Sequence, residues 1–153
     1  MKTTIIWAAL IAGVAMLPAC TKNGGESCPA PVISEVEYQP KNPGKSDDVT
    51  VTASILSEHC PIRACVVYQI AKLDKEWENK EESYRSTDPV HSTLAGQPFE
   101  FTATIPATEL TGRKVRFVIE VTTQHRTYAA SVPVEYVVSG PIEPDPGESA
   151  GKN

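Results

Sequence analysis

An all-β, antiparallel two-sheet sandwich of six or seven strands is the fold class this sequence predicts, on three observations. First, three runs alternate apolar and polar residues: VTVTASIL (49–56) without interruption, PFEFTATI (98–105), and KVRFVIEVTT (114–123), where only Val118 breaks the outward polar row. A period of two puts alternate side chains on opposite faces of a strand, so each run has one buried and one solvated face. Second, the 153 residues include 13 Pro and 9 Gly, many of them between apolar runs, which is how turns punctuate an all-β chain. Third, the runs recur at the spacing of a sandwich, within a length that suits one domain.

In chain order, the first strand begins at Val32, with Val32, Ser34, Val36 and Tyr38 expected on one face and Glu35, Glu37 and Gln39 on the other. PKNPGKSDD (40–48) is a turn by its Pro, Asn and Gly content. The second strand, 49–56, buries Val49, Val51, Ala53 and Ile55. The third, ACVVYQIAKL (64–73), is more continuously apolar, as expected of a central strand covered on both sides. Residues 73–97 are the least patterned. Leu73, Trp77 and Tyr84 would share one helical stripe, and the charges around them would equally guard an edge strand. The reading adopted is an irregular crossing with one short edge strand.

The strand at 98–105 buries Phe99, Phe101, Ala103 and Ile105, and PATELTG then turns the chain. The strand at 113–123 buries Val115, Phe117, Ile119 and Val121, and QHR forms its tip. In the last strand Val132, Val134, Tyr136 and Val138 share a face. Pro133, which lacks an N–H, marks it as an edge. GPIEPDPGESAGKN (140–153), with three Pro and three Gly, reads as a disordered tail.

From about Val32 to Val138 this pattern resembles immunoglobulin-like and fibronectin-type-III-like modules, above all in PFEFTATI, IPATELTG and RKVRFVIEV. The immunoglobulin Cys…Trp…Cys arrangement is absent, because Cys60 and Cys65 are too close and Trp77 follows the third strand. The fibronectin-III-like variant is therefore expected over 32–139. The resemblance implies a binding, spacing or adhesion role and brings no catalytic residues.

The N-terminus reads as a targeting segment. Lys2 precedes an uncharged apolar run, Ile5–Met16, too short for the roughly 20 residues of a bilayer span but right for a signal h-region. Leu17-Pro18-Ala19-Cys20 resembles the lipobox of bacterial lipoproteins, with Pro18 in place of the usual Ala or Ser. That resemblance implies removal of residues 1–19 and acylation of Cys20, with 20–31 as a tether. Thr21, where an inner-membrane lipoprotein would carry Asp, implies the outer membrane of a Gram-negative cell, hence an extracytoplasmic location. Two or three acyl chains make a lasting anchor where one is marginal.

With Lys+Arg 14 and Asp+Glu 19 the net charge is −5, which argues against nucleic acid as a partner and against electrostatic docking to an anionic membrane. No Gly-x-Ser-x-Gly, His-Glu-x-x-His, Walker or dinucleotide motif is present, and the three histidines fall in expected loops, so no enzyme is expected. The acidic run Glu76, Glu78, Glu81 and Glu82 with Lys75 and Lys80 reads as a solvated face without calcium-loop spacing.

If Cys20 carries lipid, three cysteines remain: Cys28, Cys60 and Cys65. A Cys60–Cys65 bridge, closing the shortest loop, is the first reading. A Cys28 bridge to either is the second, and three thiols the third. Antiparallel topology places Cys28, the loop carrying His59, Cys60 and Cys65, and the tip carrying His125 at one pole. The set could hold zinc, but no Cys-x-x-Cys or His-x-x-x-His spacing supports it, so loop histidines beside a disulfide are expected and no metal or other cofactor.

Functionally, a monomeric, non-catalytic envelope lipoprotein that binds or spaces a protein or envelope partner is the leading expectation. A glycan-binding accessory using Trp77 and Tyr84, or a redox- or metal-responsive module at the Cys28/Cys60/Cys65 pole, are the alternatives.

Overall fold

The computed structural model describes residues 28–78, 82–86, 90–93 and 95–141. The expected targeting segment, Cys20, the tether up to residue 27 and the tail from residue 142 lie outside the described residues. Among the described residues every regular element is a strand: β1 (Val32–Gln39), β2 (Val49–Leu56), β3 (Ile62–Lys72), β4 (Ser83–Arg85), β5 (Val90–Ser92), β6 (Pro98–Ile105), β7 (Arg113–Thr123), β8 (Tyr128–Ala130) and β9 (Val134–Val137). β4 and β5 both pair with the same edge of β3, and β8 and β9 with the same edge of β7, so the nine segments make seven strands.

One sheet is β1-β2-β6, and the other runs from β4/β5 through β3 and β7 to β8/β9, all antiparallel. A constant-type immunoglobulin domain has a fourth strand beside the equivalent of β6. Here that stretch of chain pairs instead with β3 in the opposite sheet, as in the fibronectin-III-like arrangement. The inward rows form one core: Val49, Val51, Ala53, Ile55, Phe101 and Ile105 from the first sheet meet Ile62, Ala64, Val66, Val115, Phe117, Ile119 and Val121 from the second. Tyr38, Phe117 and Tyr136 make a ring cluster within it, with centroids 5.4–6.4 Å apart.

Two strands depart from strict alternation. Glu35 adopts φ 53°, a left-handed conformation that breaks the β1 register between Ser34 and Glu37. The resulting bulge reverses the phase, so Ile33, Val36 and Tyr38 pack on the core while Val32 is 59% exposed. The expected inward row beginning at Val32 is therefore corrected to one beginning at Ile33. At the other end the chain leaves the sheet between β8 and β9, around Pro133. Val132 is consequently 81% exposed rather than in the row of Val134, Tyr136 and Val138.

Both edge breaks occur at one level of the sheet and are repaired in the same way. Ser131 N–H donates to Ile119 O (3.0 Å) and its Oγ accepts from Ile119 N–H (2.9 Å). On the opposite edge Ser86 N–H donates to Val66 O (2.9 Å) and its Oγ accepts from Val66 N–H (3.1 Å). Val66 and Ile119 are register partners, so a hydroxyl replaces a ladder carbonyl at each end of one row.

The segment after β3 is an irregular crossing, as expected, but gives two short edge strands, β4 and β5, rather than one. His91 accordingly lies in a strand rather than a loop. The body extends slightly beyond 32–139: Cys28 is bonded into it, and Thr111 Oγ1 donates to Pro141 O.

Candidate functional site

Three chain segments meet at one pole, and each is held by specific bonds. Cys28 is bridged to Cys60, 32 residues on, with a Cα–Cα distance of 5.9 Å. Cys65 is buried and bridged to no other cysteine among the described residues. The Cys60–Cys65 reading is thus corrected, and the reason is register. Cys65 lies within β3 opposite Glu120, and strand pleating directs it to the outer face of the sheet, while Cys60 ends the loop before β3 at the pole.

Hydroxyls fix both bridged residues. Thr127 Oγ1 donates to Cys28 O (2.9 Å), and Ser57 Oγ donates to Cys60 O (2.7 Å). The β7–β8 tip is bound to the same loop by Gln124 N–H donating to Pro61 O (3.0 Å). The tip is tight: Arg126, at φ 64°, donates to Thr123 O (3.0 Å), and Thr123 N–H donates to Thr127 O (2.9 Å). His125 therefore projects at the pole, its imidazole within 4.8 Å of both bridge sulfurs. Of the residues expected to converge, Cys28, Cys60 and His125 do so. His59 and Cys65 are not in that cluster; His59 is exposed beside Glu58, 3.8 Å away.

A cavity of about 640 Å³ opens beside this pole on the outer face of the second sheet. Arg63, Cys65, Arg85, His91, Glu120 and Thr122 are among its lining residues. Arg85 Nη1 is 2.8 Å from Glu120 Oε2 and 3.3 Å from Cys65 Sγ, and Tyr128 donates its hydroxyl to the other Glu120 oxygen at 3.1 Å. Glu120 thus uses both carboxylate oxygens and draws the two edge strands together over the central pair. The Glu120 charge raises the Arg85 guanidinium further above its ordinary value. Burial first, and Glu120 second, push the Tyr128 phenol up. Nothing in the sequence pattern announces this constellation, since its members are 8 to 63 residues apart on separate strands. Only the register joins them.

The two aromatics proposed as a glycan platform lie on different faces. Tyr84 pairs with Tyr68 in the inward row and stacks on it at 5.5 Å, its hydroxyl donating to Glu82 (3.0 Å). Trp77 covers outward-facing side chains of β7, with Arg116 Cζ 4.4 Å and Lys114 Nζ 5.0 Å from its ring centroid. Among the described residues its indole N–H is buried with no hydrogen-bond partner. The cations occupy the ring, and the sheet separates it from Tyr84, so the two do not form a shared stacking surface.

No family model matches this chain, and no curated protein matches it in sequence. Solved structures resemble it. One, provisionally named an ApaA protein, from Bordetella pertussis, shares 16% identity at a TM-score of 0.41 over 71% of this chain and 93% of its own. The sporulation control protein Spo0M of Bacillus subtilis shares 12% identity at a TM-score of 0.44 over 73% of this chain, which spans 50% of that protein.

Proposed function

We propose that this chain is a lipid-anchored, non-catalytic envelope module that receives a partner on the outer face of its second sheet. The cavity over Arg63, Cys65, Arg85 and Glu120 carries this reading. It is concave and mixes apolar floor with both signs of charge, as a recognition surface does. The LPAC lipobox resemblance supplies the anchor, with Cys20 as the acylated residue, and supports an outer-membrane location. Only seven residues separate Cys20 from Cys28, a reach of at most ~28 Å. The Cys28–Cys60 bridge then holds the body by the pole beside the cavity, leaving the sheet face accessible from the side.

The partner is a protein or envelope component that engages a charged, partly apolar cleft. Arg63 is exposed at its rim and offers a bidentate donor for a carboxylate. The test is co-purification from detergent-solubilised envelopes with the lipidated wild type, Arg63→Glu and Thr122→Trp. Wild type retains a defined partner, and both variants lose it while keeping the wild-type thermal midpoint. Equal retention by all three chains refutes the cleft as the binding face. Metabolic labelling with an acyl analogue tests the anchor: label on the wild type and none on Cys20→Ala is expected, and label on both removes it.

A further inference from the structure

We infer that reduction of the Cys28–Cys60 bridge creates a soft-metal site for Cu(I), formed by Cys28 Sγ, Cys60 Sγ and the His125 imidazole. This goes beyond the binding role proposed above and does not depend on the anchor or the cleft.

The donor set comes first. Two thiolates are soft ligands of the kind that select Cu(I), Zn and iron–sulfur centres, and the borderline imidazole suits Zn and Cu. Structural zinc sites are almost always four-coordinate. Among the described residues this cluster offers three ligands, all within 4.8 Å of one another, so each can reach a single ion after a small side-chain movement. Two thiolates and an imidazole satisfy Cu(I), which accepts low coordination.

The second argument is that the site outlasts its own disulfide. Breaking the bridge frees two sulfurs but leaves the bonds that position their backbones. Thr127 still holds Cys28 O, Ser57 still holds Cys60 O, and Gln124 still ties the His125 tip to Pro61 O. Three segments distant in sequence therefore remain converged, and the ordering cost of assembling a site is largely met beforehand. Both cysteines are buried whereas His125 is exposed, so the imidazole is the ligand an incoming ion meets first.

The chemistry balances with a dithiol–disulfide couple as co-reactant. A dithiol donor passes two electrons and two protons to the Cys28–Cys60 bond, giving two thiols, and is itself oxidised to a disulfide. Cu(I) then displaces the two thiol protons and binds both sulfurs and the imidazole, with no change in metal oxidation state. In the reverse step a disulfide oxidant takes two electrons from the Cys28 and Cys60 thiolates and two protons from solvent, leaving as a dithiol. The Cys28–Cys60 bond re-forms, two of the three ligands are lost and the Cu(I) is released. The bridge thereby makes metal affinity a readout of thiol redox poise.

The test uses the purified chain carrying Cys20→Ser, which removes the thiol outside the site. It is reduced anaerobically, freed of reductant and titrated with Cu(I) against a chromophoric competitor. The expected result is one Cu(I) per reduced chain, none per oxidised chain, and a thiolate-to-copper absorption band in the ultraviolet. His125→Ala, a change at an exposed turn position, lowers the affinity about tenfold or more, since even outer-shell changes cost that much. Cys65→Ser leaves affinity and stoichiometry unchanged. Thermal unfolding gives an independent readout, because Cu(I) raises the midpoint of the reduced chain and raises it less in His125→Ala. Equal binding by oxidised and reduced chains, loss of binding in Cys65→Ser, or an unchanged affinity in His125→Ala each overturns the site. Stoichiometric zinc with no Cu(I) binding overturns the choice of metal.

Discussion

Replacing both bridged cysteines, Cys28→Ser with Cys60→Ser, should cost this protein a large part of its stability. The bridge spans 32 residues of sequence. In the chain-entropy treatment a loop of that size restricts the unfolded state by about 12 cal/mol/K, or ~3.7 kcal/mol at 25 °C. For a body of about 110 residues the unfolding entropy is ~0.23 kcal/mol/K, so the midpoint should fall by ~15 °C. A Cys60–Cys65 bridge would instead close a six-residue loop worth ~2 kcal/mol, and its loss would lower the midpoint by less than ~10 °C. The assay is calorimetric unfolding of wild type, the double serine variant and Cys65→Ser at neutral pH, with free thiols counted on each denatured chain. The double variant should lose ~15 °C, while Cys65→Ser, which keeps the bridge, should lose only a few degrees. A loss below ~5 °C in the double variant, or a larger loss in Cys65→Ser, refutes the assignment of the bridge and of its stabilising role.

Other expectations follow from the core and the turns. Phe117 is 1% exposed and touches the rings of Tyr38 and Tyr136, so Phe117→Ala should cost ~3–5 kcal/mol in urea unfolding. Burial raises the Tyr136 phenol above its ordinary value of 10.0, and the folded state therefore binds the phenolic proton more tightly than the unfolded state. The stability this contributes is complete below about pH 10 and is lost as pH rises beyond it, by up to ~1.4 kcal/mol per pH unit. Tyr136→Phe should flatten that alkaline decline in unfolding curves taken between about pH 9 and 12. Gly140 sits at φ +127° with Thr111 Cγ2 2.6 Å from where a Cβ would be, so Gly140→Ala should destabilise by ~2–3 kcal/mol.

The two-sheet architecture was legible because β2, β6 and β7 alternate, and these strands build most of the core. What escaped the pattern has local causes. A single left-handed residue, Glu35, inverts the phase of β1, and nothing in EVE distinguishes a bulge from a continuing strand. Pro133, lacking an N–H, marks an edge in sequence and in structure. Its consequence, the exposure of Val132, depends on Ser131 closing the ladder with its hydroxyl. Spacing alone favours the shortest cysteine loop, Cys60 to Cys65. The choice between Cys60 and Cys65 rests on which residue enters the β3 ladder, and register settles that. The pole uniting Cys28, Cys60 and His125 followed from antiparallel topology. The Arg85–Glu120–Tyr128 constellation did not, because it depends on edge strands of three residues each, too short to carry a period.

The central claim is that a partner occupies the outer face of the second sheet. Site-specific photocrosslinking in intact cells tests it most directly, with the crosslinker at Thr122 in the cleft and, separately, at Thr102 on the outward row of β6 in the opposite sheet. A discrete crosslinked species from Thr122 and none from Thr102 is the predicted result. Crosslinks from Thr102 alone, or equal products from both positions, contradict it.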